Sequence, residues 1–350
     1  MKNSLFSLVP LFLLFAAGCA SQKIYIGGND GVHLAEYKGI PLFKSWNLTK
    51  ADSSPNVSYM AVKKGALYTA RRVTKGVFCI DVFKIKRDGL LEKQSSFTIP
   101  GTQGYCHLSL SRDGKFLYGS SYSGAFADIL ALSPKGEVKL AHRLNFSGRS
   151  IHKRQTKSHP HFASETPDQS KLLVADLGCD KIHVFDLKKG SSPLRKESIP
   201  LPPGSGPRHL SFSADGKFLF AANELNNTVC SFSMENFALR STLSLLPGAW
   251  SGTSYAGAIK TAPDGTIFAT NRGHNSIAVL AAAADGKLKM VDEFSSSGDF
   301  PYDLLFSKGK LFLVNMKSDE FSVWKKQGAW EKEVSLTLRR PMCLAAVPEK

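Results

Sequence analysis

The stretch RHLSFSADGKFLFAANELNNTVCSFSM, Arg208–Met234, holds three apolar runs separated by two kinds of turn. The first run ends at Asp215-Gly216, a tight-hairpin signal. The second, rich in Phe, ends at Asn223 and gives way to a polar turn before the third run, TVCSFSM. Aromatic and β-branched residues in short runs bounded by turn residues predict strands. The stretch therefore reads as three consecutive antiparallel strands with their apolar sides unpartnered.

The phrase recurs, and fixed-period recurrence decides architecture before any local reading does. Its later half returns as IYIGGNDGVHLAEY from Ile24, LYTARRVTKGVFCIDVF from Leu67, FLYGSSYSGAFADILAL from Phe116 and LLVADLGCDKIHVFDL from Leu172. Two more copies are IFATNRGHNSIAVLAA from Ile267 and LFLVNMKSDEFSVW from Leu311, which makes seven with Arg208–Met234. Inner-strand phrases precede most copies (CHLSLSRDG, AIKTAPDG, DLLFSKG), and a Gly turn with a fourth strand follows, as in AADGKLKMVDEF. Four-stranded units of about 40 to 50 residues predict an all-β, seven-bladed β-propeller with four-stranded antiparallel blades. The copy at Ile24 has no inner strand before it, and the C-terminal RPMCLAAVPEK has an inner-strand phrase with nothing after it. Met342–Val347 is therefore expected to pair with the strand at Ile24 and close the ring, leaving no edge. Residues 19–350 read as one propeller domain without a linker.

Residues 1–18 stand apart. Lys2 precedes the apolar run Leu5–Phe15, which is too short to span a bilayer and reads as a secretory signal. Ala17-Gly18-Cys19 resembles the lipobox of bacterial lipoproteins, with Ala16 where leucine is usual. Cys19 is expected to be lipidated, and the protein to be exported and held at the cell-envelope membrane by that anchor. The remaining cysteines, Cys79, Cys106, Cys179, Cys230 and Cys343, are odd in number and widely spaced, which excludes a disulfide framework or a CxxC zinc site. The formal net charge of +16 favours anionic partners. No compact Lys/Arg run or nucleic-acid motif appears, so nucleic acid is not an expected partner.

In a propeller, the inner-strand starts and second-strand ends of successive blades meet at one channel mouth. Aligned on their hairpins, the inner phrases place His107, His161 and His209 together, with Arg208 directly before His209. Past the second strands stand Tyr122, Asp176, Glu224, Arg272 and Met316. The run KRQTKSHPHFASE, 153–165, adds Arg154 and His159. Such a convergence of ionisable groups points to a functional site. A divalent metal on His159, His161, His209 and a carboxylate is disfavoured by the arginines, which repel a cation; their fork suits a carboxylate or phosphate instead. No metal and no cofactor is assigned.

At these residues the chain resembles the seven-bladed propeller lactonases, which include bacterial 6-phosphogluconolactonases and fungal carboxy-cis,cis-muconate lactonising enzymes. RQTKSHPHF, VADLGCDKIHVF, GSGPRHLSFSADGKFLF, ANELNNTV and TNRGHNSIAVL carry the resemblance. It implies catalytic roles for His159, Arg208, Glu224 and Arg272, and substrate contacts at His161, Asp176, His209 and His274, to which position adds His107 and Arg154. It also implies hydrolysis of a sugar lactone, with a small anionic lactone or sugar acid as ligand. Two positions depart from the family pattern: Pro301-Tyr302 stands for Pro-Arg, and Asn315-Met316 for Asn-Gln. These departures and the lipid anchor motivate the alternative of a catalytically silent envelope propeller binding an anionic ligand or protein; a muconate cycloisomerase-like enzyme is a further alternative.

Overall fold

A computed structural model describes residues 22–40, 43–187, 193–195 and 197–348; Cys19 and the signal segment lie outside the described residues. The chain forms seven antiparallel sheets. Their inner strands are Pro341–Ala346, Val57–Lys63, His107–Leu110, Pro160–Glu165, Pro207–Phe212, Tyr255–Thr261 and Pro301–Ser307, for blades one to seven. Each packs against the next in a closed ring around the channel. All blades are four-stranded except blade four, whose outer strand is broken into Leu194–Arg195 and Ile199–Pro200, both paired to Lys181–Asp186.

Burial explains the sequence pattern. Second strands such as Phe218–Asn223 and Lys310–Asn315 are sandwiched between neighbouring blades and buried almost throughout, so they read as continuous apolar runs. Outer strands such as Ala329–Thr337 alternate exposed and half-buried residues. Apolar side chains of adjacent blades interlock: Leu173 and Ile182 of blade four pack with Leu210 and Leu219 of blade five. The five described cysteines are free thiols, Cys106 half-buried and the others buried.

The ring closes as the sequence predicts. Ile24, Tyr25, Ile26 and Gly27 pair with Ala346, Ala345, Leu344 and Cys343. Gly27 is required by close approach, because a Cβ there would overlap the Cys343 sulfur and a Val57 methyl at the seam.

The blades also share one irregularity. Pairing skips a residue between Val57 and Tyr59, Pro160 and Phe162, Pro207 and His209, and Pro301 and Asp303. These β-bulges re-aim the skipped side chains, Ser58, His161, Arg208 and Tyr302, at the start of each inner strand. The pairing register also corrects the alignment of the histidines. His107 and His209 each stand opposite the penultimate residue of a second strand, but in blade four that place belongs to Phe162. His161 is the counterpart of Arg208 and Tyr302, one position earlier than expected.

Removing Pro341–Ala346 should strip blade one of its inner strand. A chain ending at Arg339 is expected to lower the thermal midpoint by roughly 10 °C or more, because it unburies Cys343, Leu344 and Ala345 and opens the seam. Calorimetry beside the full chain checks this, and an unchanged midpoint would contradict closure as the source of stability.

Candidate active site

The mouth is organised around one carboxylate. Glu224 follows the second strand of blade five and is 4% exposed. Its Oε1 meets Arg154 Nη1 at 2.6 Å, and its Oε2 meets Arg272 Nη2 at 2.6 Å and Arg208 Nε at 3.1 Å. Burial alone would raise its pKa, but Arg272, Arg208, His161 and Arg154 hold it well below the usual carboxylate range. Glu224 is therefore an ionised anchor for three guanidinium groups and a poor proton acceptor. Three positive charges against one negative leave the cluster with a surplus of positive charge.

Aromatic rings cover the guanidinium faces. Tyr302 lies 5.2 Å from Arg208 and 5.6 Å from Arg272, Phe300 lies 5.3 Å from Arg272, and Tyr255 lies 5.5 Å from Arg154. Arg208 is 1% exposed. Arg272 also donates from Nη2 to the Ala256 carbonyl at 2.8 Å. The guanidinium geometry is thus fixed before any ligand arrives.

His159 sits beside this cluster on a pinned segment. Gln155 donates to the Leu177 carbonyl and to Asp180, Ser158 donates to Asp176, and the His159 amide donates to Asp176 at 2.7 Å. Gly178 lets this segment lie on the adjoining turn, since a Cβ there would overlap the Lys157 carbonyl. The His159 ring stacks on Tyr122, with centroids 4.1 Å apart and planes at 9°. Its Nδ1 lies 2.8 Å from the Tyr122 carbonyl oxygen, which only accepts. Nδ1 therefore donates, so in the neutral ring the lone pair lies on Nε2, the tautomer a general base needs. Arg154 Nη2 donates to the Tyr122 hydroxyl at 3.2 Å, tying the same tyrosine to the arginine cluster.

A family model described as lactonase, 7-bladed beta-propeller, matches residues 31–344. The chain belongs to this propeller lactonase family. Among its relatives is the 6-phosphogluconolactonase of Bacillus subtilis (strain 168), 30% identical over 216 residues, which span 60% of this chain and only 62% of that enzyme. A Lactococcus lactis subsp. cremoris protein is 28% identical over 338 residues, 91% of this chain and 95% of its own length. In structure the chain is similar to the periplasmic gluconolactonase of Pseudomonas aeruginosa, with TM-score 0.85 and 26% identity over 94% of this chain and 99% of that one. A Lactobacillus plantarum protein superposes with TM-score 0.86 at 24% identity, covering 94% of this chain and 100% of that one, which speaks to the fold alone.

Within this lactonase propeller, His159, Arg154, Arg208, Glu224 and Arg272 come together as the sequence implies. His161 and His209 lie just beneath, their ring centroids 5.3 Å apart, with His209 Nε2 at 3.1 Å from Arg208 Nη1. His107 is deeper, packed between Phe162 and Tyr59. Two expected contacts are corrected. Asp176 ends its strand in register with Asn223 and Asn315, and Leu177 takes the place equivalent to Glu224. Asp176 is wholly buried, accepting from Ser158, Gly178 and the His159 amide and lying 3.1 Å from His183 Nε2, so it positions His159 rather than lining the mouth. His274 turns outward: its Nδ1 lies 2.7 Å from Ser276 Oγ and 3.2 Å from Glu293, and its ring meets Trp250 edge-on. The aromatic lining has Tyr122, placed by the sequence at the mouth but given no role, Tyr302, noted there only as a departure from the family pattern, and Phe300, which no sequence signal marked. Among the described residues no group of three or more His, Cys, Asp or Glu is placed to hold a metal ion.

The buried histidines predict an acid-sensitive fold. Burial, then the Arg208 charge, push His161 down to about 3 from 6.5, with Glu224 opposing and Arg272 adding to the shift. His107 and His209 are also lowered, by burial first. Below pH 6.5 the unfolded chain binds more protons than the folded one, so stability is full above that pH and falls as pH drops toward 3. The thermal midpoint should be level near neutrality and decline steadily below about pH 6. His161→Phe, which keeps a ring and removes the titration, should flatten that slope in a scan of midpoint against pH.

Proposed function

We propose that the channel mouth hydrolyses a sugar lactone, with His159 as general base. The observation that carries this reading is the Nδ1 contact with the Tyr122 carbonyl, which fixes the tautomer whose lone pair is on Nε2, beside a cluster of surplus positive charge. Nε2 takes a proton as water oxygen bonds the lactone carbonyl carbon. The carbonyl becomes an oxyanion facing the guanidinium groups of Arg208 and Arg272, whose positions are set in advance by Glu224. Collapse breaks the ring C–O bond, and the proton on Nε2 passes to the departing alkoxide, giving a hydroxy acid. Glu224 serves in this reading as the counter-charge to the arginines and not as a base. The names of the Bacillus subtilis and Pseudomonas aeruginosa relatives support lactone chemistry, and the periplasmic relative supports an exported site and a gluconolactone-type substrate. One observation favours a binding propeller without turnover instead: Tyr302, where the family pattern has arginine, covers Arg208 and Arg272.

Acid release from a panel of phosphorylated and unphosphorylated sugar lactones separates these readings. His159→Ala should lower kcat about a hundredfold to ten-thousandfold. Glu224→Gln should lower activity and should destabilise the fold by roughly 3–5 kcal/mol, since it leaves buried arginines without their anion. Arg208→Lys should not restore the loss of Arg208→Ala, because an ammonium lacks the planar fork. Turnover that survives His159→Ala would move the chemistry elsewhere; no turnover on any lactone would favour the silent binder.

For location, we propose export and acylation at Cys19. Wild-type protein should then partition with membranes and carry fatty acid, whereas Cys19→Ala should be unacylated. A wild-type chain recovered soluble with Met1 in place would overturn this.

A further inference from the structure

The end of the ring opposite the mouth carries one sector whose charge differs from the rest. There the first and second strands of each blade join. Blades three to six turn through Asp113, Asp168, Asp215 and Asp264, and Asp113 and Asp215 lie within 3.5 Å of the ammonium groups of Lys115 and Lys217. Blades two and seven turn instead through Lys64-Gly65 and Lys308-Gly309. The outer turn of blade two adds Lys86 and Arg87, which are exposed, as is Lys64. Between these turns opens a cavity of about 590 Å³ whose wall includes Gln22, Lys23, Lys64, Lys86, Arg87 and Val347. Lys23 is held by Glu36 at 3.1 Å and by the Asp88 carbonyl at 2.6 Å. Of the nearby carboxylates, Glu36 is occupied by Lys23 and Lys38, while Asp88 caps its own turn through the Leu90 amide.

The chain enters the fold at this same place. Gln22 donates its side-chain amide to the Ser307 carbonyl at 2.9 Å. Cys19 is three positions upstream, a reach of at most about 10 Å. An acyl chain on Cys19 therefore has to enter a bilayer beside Lys64, Lys86 and Arg87.

We propose that this basic sector is a membrane-docking face that rests on anionic phospholipid headgroups, so that the channel mouth points into the aqueous phase. The tether rests on the proposed acylation of Cys19; the charge argument rests on the folded residues alone. Each lysine or arginine brought to an anionic surface raises partitioning about fivefold. The acyl anchor makes this contact intramolecular, so modest attraction suffices to orient the propeller.

Full-length Cys19→Ala protein, which carries no acyl chain, is sedimented with phosphatidylcholine vesicles with and without phosphatidylglycerol. The residual signal run, with Lys2, is common to every variant, so the loss on substitution reads the basic face. Binding is expected to require phosphatidylglycerol and to weaken with salt. Lys64→Gln with Lys86→Gln and Arg87→Gln should reduce it on the order of a hundredfold, with the thermal midpoint unchanged. The matched triple Lys115→Gln, Lys135→Gln and Lys217→Gln, from turns of blades three and five, should reduce it by less than about fivefold. Equal losses in the two triples would assign the binding to net charge and overturn the proposal, as would equal binding to both vesicle types. Displacement by millimolar inorganic phosphate would overturn it in favour of a soluble-anion site. None of these readouts uses turnover or acylation, so failure here is distinct from failure of the lactonase or anchoring readings.

Discussion

The pairing of Lys23–Gly28 with Pro341–Ala346 is the constraint on which the rest depends. A propeller blade cannot bury both faces of its second strand by itself; it needs a neighbour on each side. Only a closed ring gives every blade two neighbours. Closure also fixes the radius at which the inner strands stand, and hence the separation of side chains that share no sequence neighbourhood. Arg154 meets Glu224, and Glu224 meets Arg272, because blades four, five and six are held at that radius.

The mouth then concentrates charge in a place that sheds water. One buried carboxylate serves three arginines, and aromatic rings shield their faces. Such an arrangement is costly if one member is removed, because each remaining charge is then desolvated without a partner. The same desolvation keeps His161 and His209 neutral beside Arg208. Under the proposed reaction the labour divides: charged groups that satisfy one another hold the geometry, while His159, held through its amide by Asp176 and through Nδ1 by the Tyr122 carbonyl, supplies the base.

Much of this was legible in the sequence because repetition is a strong signal. Copies of one phrase, each ending in a hairpin or polar turn, gave the blade count and the closing strand. The core of the mouth followed from repeat arithmetic, with His159, Arg208, Glu224 and Arg272 in place. Errors arose where arithmetic of one residue mattered. Counted back from Asp113, Asp168 and Asp215, the match to His107 and His209 is Phe162, so His161 was placed one residue off, and Asp176, which ends its strand in register with Asn223, was counted as if it stood one place past the strand end. His274 failed for another reason: a residue in a turn has no pleat to dictate its direction, and Ser276 and Glu293 drew it outward.

Strand order, blade number, ring closure and the identity of the converging blades were determined by the sequence itself, since period and turn chemistry are local properties that add along the chain. Side-chain partners were decided only in three dimensions. That Glu224 is an anchor rather than a base depends on three arginines from three different segments reaching it at once, and its protonation follows from their summed field. That His159 offers Nε2 depends on a carbonyl 37 positions away in sequence. Both are sums over neighbours that folding brings together, and no local pattern of residues encodes such a sum.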